Sequence, residues 1–125
     1  MSPSLPITEL YGIYNANGGL VGELAYVTGK LFGTAHCALC DITHSGISEK
    51  SEFKACRTAQ PVPLTTLHLN EQAPDLAAFT RGQTPCVVGK HPDGTFRLLL
   101  DAQRLEDCNR SVQAFAEALE QALAP

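Results

Sequence analysis

The chain has 125 residues, of which 44% are hydrophobic and 18% are charged, proportions typical of one soluble globular domain. Residues 1–125 are therefore interpreted as a single domain, with disorder expected only at the termini, such as residues 1–6. A net charge of −4 with nine scattered Lys and Arg argues against a nucleic-acid binder. The opening stretch MSPSLPITEL lacks the basic and apolar regions of a signal peptide, and no stretch approaches the roughly 20 apolar residues of a membrane span. We therefore expect a cytoplasmic protein with neither nucleic acid nor membrane as partner.

The first half of the chain predicts one strand followed by helices. ELYGIYN at 9–15 is rich in β-forming residues, and NANGG at 15–19 is typical of a turn. Apolar residues recur at helical spacing over 20–32, which predicts the first helix. HCALCDITH at 36–44 and SEKSEFKACRTA at 48–59 are interpreted as further short helices.

The second half predicts strands alternating with helices. A second strand is expected over 64–70 and a short helix over 73–82, where Pro and Gly stand at the two ends. Two strands at 85–90 and 95–100 flank HPDG, whose residues favour a tight turn. A final amphipathic helix is expected from about 107 to 124. The order predicts an α/β domain with a mixed sheet and helices on both faces.

This element order resembles the thioredoxin-like fold, in which a β-α-β unit is joined by a helix to a β-hairpin and a last helix. The third strand of that fold is preceded by a cis proline, and Thr84-Pro85 stands directly before Cys86. The resemblance implies a thioredoxin-like mixed sheet flanked by helices, with Thr84 and Pro85 shaping a substrate groove.

The position of the Cys-x-x-Cys pair departs from that family. Thioredoxin-like enzymes carry the pair between the first strand and the first helix, where this chain has Asn17-Gly18-Gly19. Cys37 and Cys40 come one predicted helix later, so we place them on a helical insertion before the second strand. The chain also resembles a group of uncharacterised bacterial proteins that combine a YNANGG-like turn with an HCALCDITH-like segment, a resemblance that implies no activity.

The chemistry of HCALCDITH is consistent with a redox pair. The cysteine count is odd and the protein is expected inside the cell, so a structural disulfide framework is not the default. If Thr34 caps a helix, Cys37 lies in the first turn, where the helix dipole and a neighbouring imidazole favour the thiolate. Cys37 is then the candidate nucleophile, and Cys40, one turn later, is the candidate resolving thiol.

The same segment also contains the ligand types of a zinc site, namely His36, Cys37, Cys40 and His44. On one continuous helix Cys37 and His44 would lie roughly 10 Å apart along the axis, so not all four ligands can bind one ion. Adjacent pairs remain compatible with a site, which would need a break in the helix or ligands from elsewhere, such as Asp41, Cys56 or His68.

For the other cysteines and histidines, a structural position without a catalytic role is the favoured interpretation. Cys86 is expected to be buried in a central strand, Cys108 to pack beside the last helix, and Cys56 to be half-exposed on a helix. His68 is expected on a solvated strand face, and His91 in an exposed turn.

Three hypotheses of different classes follow. The leading one is a thiol-disulfide active or redox-responsive thioredoxin-like protein that needs no cofactor and acts on an unidentified protein or small thiol through Cys37 and Cys40. The alternatives are a zinc-binding domain and a non-catalytic interaction module whose cysteines only pack against the core.

Overall fold

A four-stranded mixed sheet organises the residues that the computed structural model describes, which are 6–15, 37–45 and 48–124. The strands are β1 (Glu9–Ile13), β2 (His44–Ser45), β3 (Ser48–Glu49), β4 (Leu64–Leu67), β5 (Cys86–Lys90) and β6 (Phe96–Leu100). The helices are α1 (Ala38–Thr43), α2 (Ser51–Thr58), α3 (Pro74–Thr80), α4 (Ala102–Asp107) and α5 (Val112–Leu123), with a 3₁₀ turn at Leu69–Glu71. The expected terminal tail up to residue 5, the NANGG turn after Asn15, the helix at 20–32, and His36 lie outside the described residues.

The sheet has the strand order β4-β1-β5-β6, and β2 pairs with β3 in a separate short ribbon. β1 runs parallel to β4 and antiparallel to β5, while β5 and β6 form an antiparallel hairpin. Because β1 and β4 are parallel, their carboxyl ends meet at one edge of the sheet. Tyr14 and Asn15 follow β1 at this carboxyl edge, and His68 follows β4.

Successive side chains of β1 lie on opposite faces of the sheet, so they belong to two hydrophobic cores of different size. Leu10 and Tyr14 belong to the larger core, whereas Ile13 belongs to the smaller one on the opposite face. The fully buried large side chains of the larger core are Leu10, Leu39, Ile42, Phe53, Val87, Leu100, Leu105, Phe115 and Leu119. The smaller core contains Ile13, Leu76, Cys86 and Val88, and α3 supplies its helical side through Leu76. The sheet is therefore covered by helices on both faces, as the sequence predicts.

A glycine in β1 lets α1 approach the sheet closely. A Cβ atom at Gly12 would lie 3.3 Å from Cδ2 of Leu39, so any larger residue would require the Leu39 side chain to shift by a few tenths of an ångström. Leu39 and Ile42 are 1% and 0% exposed, so this short helix is anchored by its apolar face. The close seat of α1 places its amino end beside the end of β1.

The end of the chain differs from the single final helix that the sequence predicts. Two helices, α4 and α5, are separated by Asn109 and Arg110, which both have positive φ angles. Each helix begins at its own capping side chain: Asp101 Oδ1 accepts from the Arg104 amide at 2.8 Å, and Ser111 Oγ accepts from the Ala114 amide at 3.1 Å. Asp101 is therefore a helix start that the predicted single helix does not include.

The remaining elements lie close to their predicted ranges. The β5–β6 hairpin, α2 and α3 are confirmed, whereas β4 ends at Leu67, earlier than the predicted 64–70 strand. Within the described part of the chain, no helix has the length and apolar character needed to cross a membrane.

Candidate functional site

Cys37 is the residue at which α1 begins. Its backbone is extended, with φ of −148° and ψ of 107°, and the first helical residue is Ala38. The prediction that Cys37 lies inside a first turn capped by Thr34 is therefore wrong. Cys37 is itself the capping residue, and its sulfur has the role that was expected of a threonine oxygen.

Two backbone amides donate to the sulfur of Cys37. The Cys40 amide lies 3.3 Å from Sγ and closes the cap of α1, while the Asn15 amide lies 3.4 Å from the same atom. The second contact links the amino end of α1 to the carboxyl edge of the sheet. Cys37 thus lies next to the end of β1 in space, although 21 intervening positions separate it from Asn15 in sequence (|i−j| = 22).

These donors favour the thiolate of Cys37 even though the residue is 0% exposed. A hydrogen bond from the Cys40 side chain is the largest cause that lowers the pKa of Cys37, from 9.0 to about 7. Burial opposes this change, the amides of Asn15 and Cys40 assist it, and the negative charge of Asp41 opposes it. Hydrogen-bond donors therefore outweigh the cost of burying the anion.

Cys40 differs from Cys37 in its access to solvent. It lies one turn along α1 and is only half-buried. Both residues are in the thiol form rather than joined in a disulfide. The two sulfurs are thus adjacent but unequal: Cys37 has the stabilised thiolate, and Cys40 has the contact with solvent.

Thr84 reaches the same site from the start of β5. Its Oγ1 donates to the side-chain Oδ1 of Asn15 at 3.0 Å, and the backbone amide of Asn15 donates to Cys37 Sγ. The Thr84–Pro85 peptide bond is cis, and Pro85 is buried. The structure therefore brings Thr84 together with the Cys pair through Asn15.

A group of polar and aromatic residues surrounds Tyr14 beside the Cys pair, and we call Tyr14, Thr43, His44 and His68 the Tyr14 cluster. Tyr14 Oη lies 2.9 Å from Thr43 Oγ1, which lies 2.6 Å from Nδ1 of His44. The ring of Tyr14 is 5.8 Å from that of His44 and 5.1 Å from that of His68. Burial is the main cause that raises the pKa of Tyr14, and the charge of Cys40 contributes in the same direction. Cys40 and the Tyr14 cluster are thus electrostatic neighbours.

His68 is oriented by Glu71 at the carboxyl edge of the sheet. Oε1 of Glu71 lies 2.7 Å from both the amide nitrogen and Nδ1 of His68. These hydrogen bonds lower the pKa of Glu71, with the backbone amide as the largest cause. His68 follows β4 rather than lying on the strand face where the sequence placed it.

The residues proposed as zinc ligands are not all brought together. In the stretches 6–15, 37–45 and 48–124, no three His, Cys, Asp or Glu side chains are arranged to hold a metal ion. His36 lies outside the described residues, and His44 leaves α1 with an extended backbone. Cys56 lies on α2, where its sulfur is 3.6 Å from Nε2 of Gln60.

The remaining predictions are confirmed for the cysteines and wrong for one histidine. Cys86 and Cys108 are 0% and 4% exposed, and Cys56 is half-buried on its helix. His91, expected in an exposed turn, is only 7% exposed because its Nδ1 bonds the carbonyl oxygen of Pro6 at 2.9 Å. The turn therefore packs against Pro6.

The sequence analysis missed Asn15, Tyr14 and Thr43 as members of the site. Asn15 was interpreted only as a turn residue and Tyr14 only as a β-former. A usable signal was their place at the end of the first predicted strand, because ligand sites in sheets with parallel strands collect at the carboxyl ends. Thr43 carried no comparable signal, since its role depends on where α1 ends.

Comparison with known proteins adds no relative to this description. No protein-family model, curated protein or solved structure gives a significant match to the chain. Neither the thioredoxin-like resemblance nor the HCALCDITH-like one gains support from these comparisons, so arguments about function rest on the site itself.

Proposed function

We propose that this protein is a thiol-disulfide active or redox-responsive protein in which Cys37 and Cys40 interconvert between a dithiol and a disulfide. The observation that carries this proposal is the set of donors around Cys37 Sγ, which includes the amides of Asn15 and Cys40 at 3.4 and 3.3 Å. A thiolate is the reactive form of cysteine in disulfide exchange, and these donors favour it near neutral pH. For this proposal the pair acts in the cytoplasm, where protein thiols are kept reduced.

The proposed reaction consumes one disulfide of a partner molecule. The two thiols of the pair form one new S–S bond, the partner's S–S bond breaks, and the partner leaves as two thiols that carry the two protons. Two electrons pass from the cysteines to the partner, so the reverse reaction oxidises two partner thiols and restores Cys37 and Cys40.

We propose further that the fold is of thioredoxin-like type. Two features support this: the strand order β4-β1-β5-β6 with β1 and β4 parallel, and Thr84-Pro85 directly before β5. The approach of α1 to the end of β1 also supports it, because the Cys pair then borders Thr84 at the edge where a groove would lie.

A redox titration tests the proposed function. Reduced protein is equilibrated in buffers of varied reduced and oxidised glutathione, quenched with acid, alkylated and mapped by mass spectrometry. We expect a reversible Cys37–Cys40 disulfide in the native protein, its loss in Cys37→Ser and Cys40→Ser, and no change in Cys56→Ser, which removes a half-buried thiol elsewhere. Absence of this disulfide at every glutathione ratio would refute the proposal.

A further inference from the structure

The two cysteines of the pair differ in what a reactant can reach. Cys37 is 0% exposed, whereas Cys40 retains contact with solvent. A disulfide of a partner must approach the attacking sulfur in line with the S–S bond, so an enclosed sulfur reacts only after the structure opens locally. Access therefore favours Cys40 for the first step, although its neighbour carries the stabilised thiolate.

The hydrogen bonds of the pair give Cys37 two consecutive tasks. The side chain of Cys40 donates a hydrogen bond to Cys37, so the Cys37 thiolate is placed to accept the Cys40 proton. Cys37 Sγ also lies 3.3 Å from the backbone nitrogen of Cys40. A sulfur held behind a more accessible one is suited to attack it once a mixed disulfide has formed there.

We propose, on the basis of the function proposed above, that a low-molecular-weight disulfide reacts first at Cys40, with Cys37 as the base for that step and the nucleophile of the next. The Cys37 thiolate takes the proton of Cys40, and the Cys40 thiolate attacks the small disulfide, expelling one thiolate. Cys37 then releases its proton to solvent and attacks the Cys40 sulfur, expelling the second thiolate. The products are the Cys37–Cys40 disulfide, two small thiolates and one proton released to solvent, so atoms, charge and electrons balance.

This order assigns a substrate class as well as a sequence of steps. Cys40 is half-buried on a short helix, with the Tyr14 cluster as its electrostatic neighbour. A small disulfide needs to meet only this one partly exposed sulfur, because the second sulfur arrives from inside the protein. A small disulfide thus reacts first at Cys40, whereas the sequence predicts that Cys37 attacks first.

Trapping with glutathione disulfide tests the order. Cys37→Ser and Cys40→Ser are each prepared in a Cys56→Ser background, mixed with glutathione disulfide under native conditions, and mapped by mass spectrometry over time. We expect a stable glutathione adduct at Cys40 in Cys37→Ser, formed at least about tenfold faster than any adduct at Cys37 in Cys40→Ser, because the buried thiol must wait for local opening. Cys86, which is 0% exposed, serves as an internal control because it reacts only if a variant is unfolded.

The outcomes are distinguishable from those of the redox titration. If the native protein forms the Cys37–Cys40 disulfide but Cys40→Ser traps glutathione at Cys37 as fast as Cys37→Ser does at Cys40, the proposed order is wrong and the proposed function survives. The order is equally refuted if neither folded variant forms an adduct. If both variants label Cys86, Cys37→Ala and Cys40→Ala replace them and the same criteria apply.

Discussion

Cys37 and Cys86 are two equally buried cysteines whose pKa values move in opposite directions. Both are 0% exposed, and both are linked to the end of β1: the Asn15 amide donates to Cys37, and Cys86 pairs with Ile13. The pKa of Cys37 is lowered from 9.0 to about 7, mainly by the Cys40 side chain, whereas burial raises the pKa of Cys86 to about 12.

The difference lies in the hydrogen-bond donors rather than in the depth of burial. Cys37 belongs to the larger core, but its sulfur accepts from the Cys40 amide in the first turn of α1 and from the Asn15 amide just after β1. Cys86 lies within a strand whose amides serve the sheet, in a small core of Ile13, Leu76 and Val88. A buried thiol becomes acidic where a helix start and a strand end leave amides without a backbone partner, and inert where the backbone is already paired.

The largest expected effect is the difference in pKa between Cys37 and Cys86, which a direct titration of the thiols measures. We expect the ultraviolet absorbance of reduced protein to show a thiolate step near pH 7 that disappears in Cys37→Ser and persists in Cys86→Ser. The physical reason is that two backbone amides donate to the sulfur of Cys37, whereas burial is what acts on Cys86. A step near pH 7 that survived in Cys37→Ser, or vanished in Cys86→Ser, would place the acidic thiol elsewhere.

The next effect is the contribution of Cys37 to folding stability. Because its pKa is depressed from 9.0 to about 7 in the folded protein, the stabilisation is complete above pH 9 and is lost as the pH falls through 7. The shift corresponds to about 2 to 3 kcal/mol in the free energy of unfolding. Urea unfolding of reduced protein and of Cys37→Ser, between about pH 6 and pH 9.5, measures it.

The comparison with Cys37→Ser cancels the other titrating groups, including Cys86, whose raised pKa has the opposite sign. For Cys86 the stabilisation is present below the unfolded pKa and is lost as the pH rises above it. A difference between the two proteins that stayed constant across the range would show that folding does not lower the pKa of Cys37.

The sequence predicts the architecture better than it predicts this contrast. The β5–β6 hairpin follows from HPDG and the apolar runs beside it, and the burial of Cys86 follows from its place in a central strand. Both depend on local pattern. The cysteine pair is also visible in sequence, but its chemistry depends on contacts that are distant along the chain.

The capping of α1 shows why the rest could not be predicted. Thr34 is a good capping residue by type, yet the helix begins at Cys37, whose sulfur accepts an amide instead. That choice is made by the close packing of Leu39 over Gly12 and by Asn15 at the end of β1. Each of these is a tertiary contact, so propensity alone would select the more usual oxygen cap.

Serine substitutions at Cys37 and Cys86 should lower the free energy of unfolding by different amounts, although the two residues are equally buried. At about pH 6, where Cys37 is protonated, Cys86→Ser should lower the free energy of unfolding by about 1 to 3 kcal/mol, because the new hydroxyl has no partner in the apolar core. Cys37→Ser should cost clearly less, since serine is a preferred capping residue and its oxygen can accept the amides that the sulfur accepts. Equal losses in urea unfolding would mean that the donors around Cys37 do not matter.

The smallest expected effect concerns the contact that ties β5 to the acidic thiol. Thr84→Val removes the 3.0 Å bond to Asn15 Oδ1 while keeping the side-chain shape. We expect the pKa of Cys37 to rise from about 7 towards 9.0, because the Asn15 amide is then held less firmly against the sulfur. The free energy of unfolding should fall by about 0.5 to 1.5 kcal/mol, the usual net contribution of one hydrogen bond.

Thr65→Val, at an exposed threonine of β4, is the matched control and should leave the thiolate step in place. An unchanged step in Thr84→Val would show that Asn15 is positioned by the backbone of β1 alone.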